Sequence, residues 1–229
     1  MSLLDAPALA YAEAENPWFS WQFVRQNTET LVAALREHAL LTGETVLIAL
    51  IVAVPLAVLA YWFRPLTGPI LAFTGVLYTI PSLALFALLA PFVGVGRVTV
   101  LIGLVLYALL VLVRNIIAGL VQVPEEVLDA ARGMGYGRFG RLWRVELPLA
   151  LPGILTGLRL ATVSTVALVT VGVLVGHGGL GQLILAGFRV GYRAEITTGT
   201  VLCVVLALLL DLLLAGTGRL LTPWSRRTR

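Results

Sequence analysis

Lysine is absent from this chain, and all 16 of its basic residues are arginine. A phosphate-cradling P-loop needs a lysine, so this sequence does not carry that nucleotide site. Cysteine is nearly absent as well. Cys203 stands in an apolar run, cannot close an internal disulfide and reads as a small buried residue. Only two histidines occur, His38 and His177, with no cysteine or carboxylate at ligand spacing, so no metal site is expected. Charge is scarce at 12% of residues, about half of what a soluble domain carries. The N-terminus lacks a basic segment followed by an apolar core, so no cleavable signal peptide is expected and the first span directs insertion. What fills the chain is apolar: 59% of its 229 residues are hydrophobic, and mean hydropathy is +0.97. The class is an all-α integral membrane protein of one domain. The pI near 9.7 does not indicate nucleic-acid binding, because the arginines flank apolar runs instead of lining a soluble face.

Residues 1–40 are mixed, and from Phe19 to Leu35 apolar side chains recur every three to four positions around Arg25 and Glu29. With Trp18, Trp21 and Phe23 nearby, this segment reads as an amphipathic helix lying at the membrane interface. The transmembrane part is expected over residues 41–222, with a basic cytoplasmic tail at 223–229. An uncharged run of 19 residues, Thr45 to Phe63, suits a first span, kinked at Pro55. A second span lies within Pro65 to Gly96 and is interrupted at Pro81 and Ser82, where freed backbone groups are tolerated only beside protein or a water-filled path. The third starts after Arg97 and continues as helix past Arg114 towards Val123. The fourth runs from about Gly153 to Val175. A glycine-rich hinge containing Gly178, Gly179 and Gly181 leads through a short segment, Gln182 to Phe188, and a polar turn to a fifth span over about Ile196 to Leu221.

The most polar stretch between spans is residues 124–148, PEEVLDAARGMGYGRFGRLWRVELP. Pro124 suits a helix start, and Glu125 and Glu126 favour the positive end of its dipole. Gly133 and Gly135 turn the chain, a second short helix carries Leu142, Trp143 and Val145, and Leu147-Pro148 is expected to end it. With this loop in the cytoplasm, 11 arginines lie at or near the inner face and 5 outside. The positive-inside rule therefore places the N-terminus outside and the C-terminus in the cytoplasm.

Two GxGxxG strings, at Gly135 to Gly140 and Gly176 to Gly181, follow no strand and are rejected as nucleotide fingerprints. Asp211 stands among leucines inside the fifth span, and Arg159 lies near the inner start of the fourth. Intramembrane charges find partners, so the two are read as a structural ion pair, with a substrate contact as the alternative role for Asp211.

The loop has an internal spacing more specific than its charge. Asp129-Ala130-Ala131 is followed by three residues, Gly135, nine residues, Val145, one residue, and Leu147-Pro148. This resembles the cytoplasmic loop of ABC importer permeases, Glu-Ala-Ala, three residues, Gly, nine residues, Ile, one residue, Leu-Pro. Asp129 replaces Glu and Val145 replaces Ile. The string Thr79 to Ala84, Gly94 to Arg97, Arg114-Asn115 and Gly178 to Gly181 are similar to the osmoprotectant branch, permeases for glycine betaine, carnitine and choline. The resemblance covers about residues 38–222.

It implies a type I importer permease bundle of about five spans. It implies an ATPase-docking site formed by Glu125, Glu126, Asp129, Ala130, Ala131, Gly135, Val145, Leu147 and Pro148, and a translocation path or gate near Pro81, Ser82, Gly178, Gly179 and Gly181. The implied partners are cytoplasmic ABC ATPases, a second copy or a related permease, an extracytoplasmic solute-binding protein and the lipid bilayer. No cofactor is expected in this chain, ATP and Mg2+ being bound by the partner ATPase, and no enzyme activity of its own. Alternatives are a permease of the methionine or sulfonate type, or a secondary transporter without an ATPase. The latter needs internal repeats or a path of several intramembrane acids and bases, and only Arg159 and Asp211 offer themselves.

Overall fold

The computed structural model describes residues 16–226. Among these the chain is helical throughout, and no strand occurs. A short helix α1 (Trp21–Gln26) is capped by Ser20, whose hydroxyl accepts from the Phe23 N–H at 3.2 Å. Asn27 closes it by donating to the Phe23 carbonyl, and α2 (Thr28–Trp62) begins at the next residue.

The interfacial helix expected from Phe19 to Leu35 is thus divided at Asn27. Its second half forms the first turns of a 35-residue helix that continues through the expected boundary at residue 40 and through Glu44. The reason is one unbroken buried stripe: Leu31, His38, Leu41, Thr45, Ala49, Ala53, Ala57 and Ala60. Their spacing of three, four or seven keeps them on one helix face. At 1.5 Å per residue α2 is about 52 Å long, well beyond a bilayer core of about 30 Å.

The second span is more than kinked. Helices α3 (Arg64–Thr79) and α4 (Ser82–Val93) meet at 98°. Ile80, held extended by the following proline, separates them. Its carbonyl, freed from any helix, accepts from the Tyr107 hydroxyl of α5 (Arg97–Val121). The described residues contain four helices long and apolar enough to cross a membrane, five spans when the bent pair counts as one.

Helix α5 is the centre of the bundle, packed against α2 on one side and α8 (Leu147–Val169) on the other. Small residues allow the close approach to α8. A side chain on Gly119 would place its Cβ 2.8 Å from the Ala150 carbonyl oxygen, and one on Gly153 would reach Gly119 Cα at 2.9 Å. Towards the inner end Ala53, Leu112, Val113, Ile116, Leu120 and Leu142 form one core. Towards the outer end Leu41, Phe86, Val100, Leu104, Val169 and Val175 form another.

Two expectations about the start of the fourth span are corrected. Leu147-Pro148 does not end the loop's second helix, and the span does not wait for Gly153. The short helix α7 (Arg138–Arg141) passes through one wide π-helical turn, Leu142–Glu146, directly into α8. The wide turn sits where the proline ring would otherwise press on the preceding turn, so the chain stays helical through Pro148. Beyond α8 a 3-10 segment, Thr170–Val175, leads to α9 (Leu180–Val190) and α10 (Arg193–Leu221), the last long span. Residues 1–15 and the terminal Arg227 and Arg229 lie outside the described residues.

Candidate functional site

The loop between α5 and α8 is built around helix α6 (Glu125–Gly133). Glu125 and Glu126 occupy its first turn and Arg132 its last, each at the dipole end that suits its charge. Arg132 donates to Glu125 at 2.9 Å and to Asp129 at 2.5 Å, strapping the helix along its length. These bonds, that to Glu125 first, hold its guanidinium above the ordinary arginine range.

Leu128 and Ala131 face inward, whereas Glu126, Asp129 and Ala130 face solvent. The helix ends in a Schellman turn. The Gly135 N–H donates to the Arg132 carbonyl and the Tyr136 N–H to that of Ala131. Gly135 sits at φ +84, with nothing within 4 Å of the place a Cβ would occupy. Glycine is required there by backbone conformation, not by crowding.

Of the residues in the loop pattern, Val145, Leu147 and Pro148 are half-buried at the root of α8, apart from the exposed face of α6. Met134, Phe139 and Trp143 of the same loop are large apolar side chains left in the open. The loop is fixed to the end of α2: Arg138 lies 4.2 Å over the Trp62 ring and donates to the Trp62 carbonyl at 3.1 Å, and Phe139 meets the same ring edge-on. Below, Glu146 is fully buried and accepts from Arg141 Nε.

At the other end of the molecule the hinge glycines are tightly enclosed. A Cβ on Gly178 would lie 2.5 Å from the Val173 nitrogen, and one on Gly179 would lie 2.6 Å from His38 Cβ. A Cβ on Gly181 would collide with the Thr170 carbonyl. His38 is completely buried. Its Nδ1 accepts from the Leu180 N–H at 3.3 Å, so Nε2 carries the proton and donates to the Val166 carbonyl at 2.9 Å. One imidazole thereby joins α2, α8 and the hinge. Pro81 and Ser82 lie at the α3–α4 break, and α4 packs on the 3-10 segment that Gly178 and Gly181 also touch.

Between these two ends Arg159 of α8 meets Asp211 of α10. Nε and Nη2 donate to the two carboxylate oxygens at 2.8 and 2.7 Å. The pair remains 42% and 27% exposed on the outside of this single chain.

Sequence reasoning missed three of these residues. His38 was weighed only as a metal ligand; its place in the stripe with Leu41, Thr42 and Thr45 was the available signal. Tyr107 gave no signal, since its partner is a carbonyl 27 positions away. Glu146 reads as one more loop charge, and its burial follows from the helix running on through Pro148.

Comparison with known proteins places this architecture. The family described as binding-protein-dependent transport system inner membrane component matches residues 45–227. The chain is 36% identical over 206 residues to a choline transport system permease protein, OpuBD, of Bacillus subtilis, covering 90% of this chain and 91% of that one. It is 35% identical to a glycine betaine/carnitine/choline transport system permease protein, OpuCD, of the same organism, covering 90% of each. It is 34% identical to an osmoprotectant import permease protein, OsmW, of Salmonella typhimurium, covering 88% of this chain and 96% of that one. Among solved structures it resembles a chain of the inward-facing MetNI methionine ABC transporter, with a TM-score of 0.79 and 24% identity over 86% of this chain and 98% of that chain.

Proposed function

The chain belongs to the binding-protein-dependent transport system inner membrane components, and from that membership we propose that it is the membrane-spanning subunit through which an ATP-driven importer takes up a compatible solute carrying a quaternary ammonium group. It is a multi-pass membrane protein and a transport subunit. The observation that carries the reading is helix α6: an internally strapped helix with an exposed outer face, joined by a Schellman turn to α7, which Arg138 holds at the end of α2 and which runs on into a span.

In this reading α6 seats on a cytoplasmic ATPase, which binds ATP and Mg2+. Two permeases, identical or related, sit above two ATPases. Closure of the ATPases pushes α6; the push crosses the Schellman turn to α7, which Arg138 and Phe139 fix to the end of α2, and passes from α7 through the π-turn into α8, where no loop intervenes. The permeases rock as rigid bodies between two packed arrangements. An extracytoplasmic binding protein delivers the solute to the outer end, near the break at Pro81 and the hinge at Gly178 to Gly181. The relatives named for choline, carnitine and glycine betaine support a quaternary ammonium solute. Such a cation is held by aromatic faces in the delivering protein.

The test is uptake of labelled choline, glycine betaine and carnitine by vesicles holding the permease, its ATPase and its binding protein. Uptake requires all three proteins and ATP. Uptake driven by a proton gradient without the ATPase would overturn the proposal.

A further inference from the structure

A cavity of about 510 Å3 opens where α2 ends and α3 and α6 begin, at the cytoplasmic end of the bundle. Its wall holds four arginines, Arg64, Arg132, Arg138 and Arg141, against one carboxylate, Glu125. Arg132 is neutralised by Glu125 and Asp129. Arg141 is anchored through Nε to the buried Glu146, which leaves its terminal nitrogens directed elsewhere. Arg138 is fixed by stacking on Trp62 and by the Trp62 carbonyl, and has no carboxylate partner among the described residues. Arg64 has neither a carboxylate nor a hydrogen-bond acceptor among them. The Trp62 ring on which Arg138 stacks lies in the same wall.

Arg64 and Arg138, two guanidinium groups without a carboxylate partner on one cavity wall, suit an anion with several oxygens. Phosphate fits, since guanidinium forks bind it through paired N–H bonds. Arg138 and Arg141 are already held in place, so little side-chain freedom is lost on binding. Phe63 and Leu66 stand exposed on either side of Arg64, where the first two spans meet the inner membrane surface.

We propose that this cavity binds a phosphate group, carried by an anionic phospholipid of the inner leaflet or free in the cytoplasm. The inference rests on the cytoplasmic placement of the loop and not on the transported solute.

The experiment is native mass spectrometry of the permease purified with its ATPase, titrated with phosphatidylglycerol, with phosphatidylcholine and with inorganic phosphate. A site of this kind retains phosphatidylglycerol over phosphatidylcholine by about tenfold, the scale of one charge-assisted hydrogen bond. Arg64→Gln and Arg138→Gln each lower that preference severalfold. Arg64→Lys keeps most of the preference, and Arg189→Gln at the opposite end leaves it unchanged. Phosphatidylglycerol that resists millimolar inorganic phosphate assigns the site to lipid; displacement, with phosphate itself retained by the wild type and lost in Arg64→Gln, assigns it to the free anion. Equal retention of the two lipids without phosphate binding overturns the proposal. So does an unchanged preference in Arg64→Gln and Arg138→Gln. Should Arg64→Gln fail to assemble, Arg138→Gln decides alone.

Discussion

Arg159 and Asp211 face each other across α8 and α10 with N–H···O bonds of 2.8 and 2.7 Å, the fork-to-fork geometry of a guanidinium on a carboxylate. In a span this arrangement satisfies two groups that lipid cannot. It also fastens α10, which otherwise presents mostly exposed apolar side chains to the outside of the chain. Arg159→Ala or Asp211→Ala is therefore expected to reduce the amount of folded permease recovered from membranes. The exchange of the two, Arg159→Asp with Asp211→Arg, is expected to recover part of it. Size-exclusion profiles of detergent extracts measure this directly. Asp211→Asn that assembles normally yet carries no solute would place the residue in the translocation path instead.

A second prediction concerns the outer hinge. His38 holds the Leu180 N–H and the Val166 carbonyl together in a fully buried place. His38→Ala leaves the Leu180 donor without its partner and opens a void beside it. The cost is on the order of 1–3 kcal/mol for the unsatisfied group. Gly179→Ala meets two obstacles at once, a φ of +50 and a Cβ placed 2.6 Å from His38 Cβ. Both variants should lower the melting temperature of the purified permease, Gly179→Ala the more. A melting temperature for Gly179→Ala equal to wild type would mean that the hinge and α2 are not packed as described.

Much of this architecture was legible in the sequence, and the reasons differ by element. Spans announce themselves by long apolar runs, so the third span and the fifth emerge near their true limits. The loop helix was legible because Pro124, Glu125, Glu126 and Gly135 are each a local signal with its own mechanism. Boundaries at the membrane surface were not legible. Nothing local distinguishes an interfacial helix from the outer turns of a long span, and only the buried stripe from Leu31 to Ala60 makes α2 continuous. Pro148 misled for a related reason: a proline removes a helix bond and crowds the preceding turn, and here the wide turn Leu142–Glu146 relieves that crowding so the chain stays helical. The joining role of His38 depends on partners 128 and 142 residues away, beyond any local pattern.

Orientation is open to a labelling test. The arginine asymmetry of 11 to 5 sets the loop in the cytoplasm. In a Cys203→Ser background, a cysteine at Gly137 should react with a membrane-impermeant thiol reagent only after the membrane is opened. A cysteine at Tyr192 should react in intact cells. Tyr192 packs edge-on against Phe23, so the exposed Val190 serves as a second outside site. The reverse labelling pattern would invert the topology.

The last prediction separates conformation from contact at the loop. Gly135 has open space around it and a φ of +84, so a substitution there acts through the backbone alone. Left-handed backbone costs an ordinary residue about 1–2 kcal/mol, and asparagine much less. Gly135→Asn should therefore keep most ATP-driven uptake and Gly135→Asp a smaller part of it, while Gly135→Val should lose it as the Schellman turn opens and α6 changes direction. Asp129→Lys acts differently. It removes one of the two bonds that strap Arg132 and sets a like charge one turn away, weakening α6 without touching the turn. Its expected effect is a milder loss of uptake. In every case the permease should remain in the membrane at wild-type level, because the spans and their cores are untouched. The measurement is uptake of labelled solute at matched permease levels, together with recovery of the ATPase on the tagged permease. Loss of ATPase recovery in parallel with uptake, in the order Val worst and Asn least, fits a helix that must be presented at one angle. Normal uptake by Gly135→Val would show that the angle of α6 does not matter, and the assignment of this loop as the ATPase seat would fall with it.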